Sequence, residues 1–301
     1  MTRPKIGLAL GSGSARGWSH FGVIRALAER GIHPDVVSGT SIGALVGAYL
    51  AAGSLDEMEA WVRSLRRRDV MGLLDITLSG GLIAGEKLFD RLRQTIGEDL
   101  TIEDCELPYG AVATNLATGN EVWLREGGLL AAVRASIALP GLFTPVKRDG
   151  RWLVDGGLVN PVPVSLCRAM GADIVIAVDL NSDLLERFPL VTQEHAARPE
   201  KAGEEAGWAD RLEGLVDKLW PWGRNGEQED LPSFLEVLAR STNIMSVRIT
   251  RSRMAGDPPD VLLSPRLAHI GLMDFHLAAT AIEEGRAEVE RQARQLGLSG
   301  L

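Results

Sequence analysis

Ser41 stands in Gly39-Thr40-Ser41-Ile42-Gly43, between a strand-like run, Asp35 to Ser38, and a helix-like run, Ala44 to Leu50. A serine at the apex of a strand–turn–helix is presented as a nucleophile, and the sharp turn needs small neighbours, here Gly39 and Gly43. The helix N-terminus behind it offers free N–H groups to developing negative charge. The competing reading of the same five residues is an ordinary Gly-Ser turn before a buried helix.

A second group, Gly11-Ser12-Gly13-Ser14-Ala15-Arg16-Gly17, follows a strand-like run and precedes a helix. Small residues there let backbone N–H groups converge on one spot and form an anion nest. A dinucleotide-phosphate loop is one reading. It wants a glycine where this chain has Arg16 and an acid at the end of the second strand, where this chain has Ser38. The stronger reading is an oxyanion hole, since both loops follow strands that would lie side by side and open on one sheet edge.

A nucleophilic serine needs a base. None of His20, His33, His195, His269 and His276 follows a strand in a convincing loop. His20 reads as a structural histidine on the first helix, and His269 and His276, seven apart, as residues that share a helix face. Asp155, in Trp152-Leu153-Val154-Asp155-Gly156-Gly157, is better placed, at a strand end with two glycines beside it. An Asp-Gly turn remains the alternative at that point.

The elements that must position these residues alternate. Strands are expected at Lys5 to Leu10, Val36 to Ser38, Tyr109 to Asn115, Glu121 to Arg125, Trp152 to Asp155, Ile174 to Asp179 and Asp260 to Leu263. Helices are expected at Trp18 to Glu29, Ile42 to Ala52, Leu55 to Arg67, Glu86 to Ile96 and Ile282 to Gln295. Ala117-Thr118-Gly119-Asn120 reads as a hairpin turn. The alternation implies an α/β fold, a three-layer α/β/α sandwich with a mostly parallel central sheet.

The 301 residues suit one large α/β domain or two small ones, and the net charge of -8 argues against a nucleic-acid binder. Cys105 and Cys167 lack metal or redox spacing, no secretory signal is evident, and a cytoplasmic location fits. Residues 181–232 hold 12 acidic and 6 basic residues, most of the net charge, and read as a mobile acidic insertion in a single domain spanning 1–301. Within it, Trp208, Trp220 and Trp222 read either as one side of a short amphipathic helix packed on the body or as a peripheral membrane contact.

Taken in order, the Gly-rich loop with Arg16-Gly17, then Gly39-x-Ser41-x-Gly43, then Asp155-Gly156-Gly157 resemble the patatin-like phospholipase family. Ser136, Ala138 and Pro140 are similar to that family's block before the aspartate, and Asn160-Pro161-Val162-Pro163-Val164 to the segment after it. Gly81 to Leu88 is also similar. The resemblance covers roughly Lys5 to Leu180 and is strongest to bacterial members related to the neuropathy-target-esterase catalytic domain.

The resemblance implies a Ser-Asp dyad without histidine, with Ser41 as nucleophile and Asp155 as general base. It implies an oxyanion hole from the N–H groups of Gly13, Ser14, Ala15 and Arg16, acting on lipid acyl esters with no metal and no cofactor. The family's loop has glycine where this chain has Ser12 and Ser14. A positive φ at either serine would cost about 1 kcal/mol. Those serines motivate the alternative, a catalytically weak lipid-binding or regulatory module on the same fold. A nucleotide-binding enzyme is the third reading.

Overall fold

A computed structural model describes residues 3–73, 86–184 and 234–295. His195, Trp208, Trp220 and Trp222, residues 81–85 of the Gly81 to Leu88 block and nearly all of the 181–232 segment lie outside them.

Two runs without a polar residue, β1 (Ile6–Leu10) and β7 (Ile174–Val178), pair in parallel at the centre of an eight-stranded sheet. Such runs are buried on both faces, which is why they lack alternation. β2 (Val36–Thr40) pairs in parallel with β1, as the side-by-side loops require, and with β3 (Tyr109–Asn115). β8 (Val261–Leu263) extends the parallel part beyond β7. The other flank is antiparallel: β4 (Glu121–Leu124) and β6 (Arg151–Asp155) both pair with β3, and β5 (Val146–Arg148) with β6. The hairpin expected at Ala117 to Asn120 joins β3 to β4.

Helices cover both faces. The larger core holds side chains of α1 (Ser19–Ala28), α2 (Ile42–Ala51), α3 (Leu55–Ser64), α4 (Arg67–Leu73), α5 (Glu86–Ile96) and α6 (Leu129–Ser136). The smaller core, on the opposite face, packs α7 (Val164–Ala169) onto β1, β2 and β7, and Met254 of α8 (Phe234–Gly256) joins it. α2 has almost no polar side and is buried along nearly its whole length, as expected of a helix that is apolar all round. α9 (Ala278–Gln295) lies across α1, where a Cβ on Gly22 would collide with the Ile282 carbonyl and one on Gly285 with the Ser19 carbonyl. Two glycines thus let these backbones touch.

Three expectations are corrected. The helix expected from Leu55 to Arg67 breaks at Leu65, which is extended (φ -64, ψ 124), and α4 starts anew with the Arg66 N–H capped by Asp69. His269 and His276 share no helix, since His269 sits in a turn and His276 in the short 3-10 segment Phe275–Leu277. The Gly271 N–H turns back onto the Asp274 carboxylate between them and interrupts the helix. The helix expected from Trp18 starts at Ser19, because Ser14–Trp18 winds as a 3-10 turn.

Candidate active site

Strand β3 sets the level of the site. It pairs Val112 with Thr40 at the end of β2 and Ala113 with Asp155 at the end of β6. The residue after Thr40 therefore meets Asp155, and the Ser41 hydroxyl donates to Asp155 Oδ2 at 2.6 Å.

Ser41 itself holds φ 56 and ψ -123, a conformation L-residues rarely adopt. A Cβ on Gly39 would strike Gly43 and Ala44, and one on Gly43 would strike the Leu10 carbonyl. The chain thus doubles back so tightly that both flanking positions require glycine. The Ser41 N–H donates to Ser136 Oγ at 2.9 Å, and the Ser136 hydroxyl donates onward to the Val112 carbonyl at 2.6 Å.

Asp155 is 2 % exposed. Its Oδ1 accepts the Gly157 N–H at 2.7 Å, its own N–H donates to the Ala138 carbonyl at 2.9 Å, and its carbonyl accepts the Thr114 hydroxyl at 2.8 Å. Burial raises its pKa to about 6, against the hydrogen bonds from Ser41 and Gly157 that lower it. Ser136 and Ala138, two residues apart, thus hold the two members of the pair. Sequence alone supplied those positions without their task.

The Gly-rich loop lies alongside. Ser14 takes φ 51, so the serine at that position does sit in the left-handed region, and Ser12 does not. Its hydroxyl donates to the Leu272 carbonyl at 2.6 Å. The four expected donors differ in availability. The Ala15 N–H donates to the Leu272 carbonyl at 3.3 Å and the Arg16 N–H to the Gly13 carbonyl at 3.2 Å. The N–H groups of Gly13 and Ser14 have no acceptor among the described residues. The segment Asn160 to Pro163 ties the loops together: its carbonyls accept the Ser12 N–H and the hydroxyls of Thr40 and Ser38.

Histidine stays out of the pair. His20 is fully buried and donates from Nε2 to the Gly11 carbonyl at 2.8 Å, and burial lowers its pKa to about 4. Ser41 bonds to no histidine among the described residues.

Ser41 and Asp155 open on a cavity of about 110 Å³. Its apolar lining includes Leu45, Trp61, Leu65, Val70, Leu88, Ile137, Leu139, Leu142 and Phe143. Its polar lining includes Arg16, Asn181 and the α8 residues Thr242, Asn243 and Ser246. Arg16 Nη2 donates to Asn243 Oδ1 at 3.1 Å, and burial draws the guanidinium pKa down to about 10 against the pull of Asp183 and Asp179. A hydroxyl, a buried carboxylate, unengaged N–H donors and an apolar lining can together bind an acyl group and take up its charge. Among the described residues no cluster of three or more His, Cys, Asp or Glu side chains is arranged to hold a metal, and no helix is long and apolar enough to cross a membrane.

Comparison with known proteins bears on the family of the chain. Residues 8–168 match the family model described as Patatin-like phospholipase. The chain is 36% identical to an uncharacterized NTE family protein of Mycobacterium tuberculosis, with 94% of this chain and 90% of that one covered. It is 33% identical to Patatin-like phospholipase domain-containing protein 6 of Homo sapiens over 82% of this chain, and 30% identical to Lysophospholipase nte1 of Emericella nidulans over 90%. It spans 17% of the length of each of those two.

Proposed function

The chain belongs to the patatin-like phospholipase family, and from that premise we propose that it is a serine esterase that cleaves lipid acyl esters, of the phospholipase A or lysophospholipase type, through Ser41 and Asp155. The family implies lipid acyl hydrolase activity. The observation that carries the assignment to these two residues is the 2.6 Å hydrogen bond from the Ser41 hydroxyl to a carboxylate that is buried and raised in pKa to about 6.

Asp155 takes the Ser41 proton as Oγ attacks the ester carbonyl. A surface aspartate, with a pKa near 3.9, is too weak a base to help much, and a value near 6 brings it closer to the matched range. The N–H groups of Gly13 and Ser14 receive the tetrahedral oxyanion. Asp155 returns the proton to the departing alcohol, then takes one from the water that attacks the acyl group and passes it to Ser41 Oγ as the carboxylic acid leaves. The apolar lining of the cavity suits the acyl chain, and the polar groups of Arg16 and α8 suit the polar part of the lipid.

Fluorophosphonate labelling with mapping of the labelled residue tests the reading. Label on Ser41, and loss of both label and p-nitrophenyl ester hydrolysis in Ser41→Ala, is the expected result. Label elsewhere, or hydrolysis retained by that variant, rejects it. Lipid binding by the wild-type protein without turnover would instead favour a binding module.

A further inference from the structure

Three consecutive carbonyls of the Gly-rich loop are each held by a side chain, one from α1, one from beyond β7 and one from the loop itself. His20 Nε2 donates to Gly11 O at 2.8 Å, Asn181 Nδ2 to Ser12 O at 2.9 Å, and Arg16 Nε to Gly13 O at 3.1 Å. All three side chains are buried, Arg16 and Asn181 at 2 % exposure.

A trans peptide unit is planar, and the C=O of one residue points opposite to the N–H of the next. Holding the Gly11 carbonyl therefore orients the Ser12 N–H, which is itself closed onto Pro161 O at 2.8 Å. Holding the Ser12 carbonyl orients the Gly13 N–H, and holding the Gly13 carbonyl orients the Ser14 N–H. The last two are the donors left without an acceptor among the described residues. Asn181 has its own backbone N–H bonded to Asp179 Oδ1 at 3.0 Å, which fixes its place at the end of β7.

Resting on the functional reading above, we infer that Asn181 is a positioning residue of the oxyanion site: its amide holds the Ser12 carbonyl and so aims the Gly13 N–H at the reacting oxygen. It reaches the loop across 169 positions of sequence, and the Ser12–Gly13 peptide has no other hydrogen bond to a described residue. Donors of this kind act only on charge that develops in the transition state. Misaiming one should therefore lower kcat and leave ground-state binding intact.

The experiment compares wild type with Asn181→Leu, which keeps the approximate volume and removes the donor, and with Asn181→Asp, which keeps the shape and presents only acceptors when ionised. Melting temperature is measured alongside, and Asn181→Asp carries the readout if the Leu variant does not fold. The expected result is a kcat lower by about 10²-fold, as for a misplaced catalytic group, with KM within about twofold. A lipid-like trifluoromethyl ketone, whose carbonyl becomes an oxyanion when Ser41 adds to it, should lose affinity by a similar factor. The matching ether lipid, which cannot react, should bind as before. A folded variant with wild-type kcat overturns the inference, and so does parallel loss of ether-lipid affinity, which would make Asn181 a substrate-binding residue. Failure of wild type itself to turn over esters would reject the functional reading instead.

Discussion

Ser41 and Asp155 are held by one short stretch of chain: Ser136 Oγ accepts the Ser41 N–H, and the Ala138 carbonyl accepts the Asp155 N–H. The residues of the pair are 114 positions apart, yet their spacing is set within three residues at the end of α6.

Ser136→Ala removes a hydroxyl that serves two backbone groups, the part-buried Ser41 N–H and the buried Val112 carbonyl. Unsatisfied groups of this kind cost about 1–3 kcal/mol. Urea denaturation should show a loss of about 2 kcal/mol, and kcat should fall by about tenfold as the elbow relaxes. A wild-type midpoint would mean that the Ser136 bridge contributes nothing.

Asp155→Asn should lower kcat by about 10³-fold, since the amide cannot take a proton, and raise stability. A raised carboxylate pKa means that ionisation is disfavoured in the fold. The penalty is present above pH 6 and disappears once pH falls below the unfolded value near 3.9. At pH 8 its removal is worth on the order of 3 kcal/mol at most. Thermal melting of both proteins at pH 8 checks this, and kcat/KM of the wild type should climb through about pH 6.

At Ser41 the comparison of interest is Ala with Gly. Both variants lose the hydroxyl, but only Gly tolerates φ 56 and ψ -123 without strain. Ser41→Gly should be more stable than Ser41→Ala by about 1 kcal/mol or more, as read from guanidinium unfolding. The reverse order would show that the elbow stores no strain.

His20 and Asp155 oppose each other in acid. The depressed His20 pKa gives stability that is lost as pH falls from about 6.5 to about 4, while Asp155 regains stability over nearly the same window. Each term is on the order of 3 kcal/mol, so they nearly cancel. Asp155→Asn should therefore make the protein's acid unfolding steeper between pH 6.5 and 4, and equal steepness in both proteins would refute the pairing.

Much of this was legible in the chain itself. Apolar runs announce β1 and β7, the Gly-Ser-Gly spacing announces the elbow, and Asp155-Gly156-Gly157 announces the strand end that faces it. α6 escaped notice because Leu129 to Ser136 carries no start or stop signal of its own. β5 escaped because its three residues, Val146–Arg148, are mostly charged and close a hairpin through Asp149, at φ 48, and Gly150. The task of Ser136, and Asn181 altogether, could be found only in three dimensions, because each works through a backbone group 95 or 169 positions away.

Gly22 and Gly285 let α1 and α9 meet backbone to backbone. α1 carries the ring that holds Gly11, and Leu272, just ahead of α9, accepts the Ser14 hydroxyl across 258 positions. The loop beside the serine is therefore fastened at Ser14 to a residue that lies 258 positions further along the chain. That tie closes a loop of most of the chain, a non-local contact whose closure entropy folding must meet before the contact repays it.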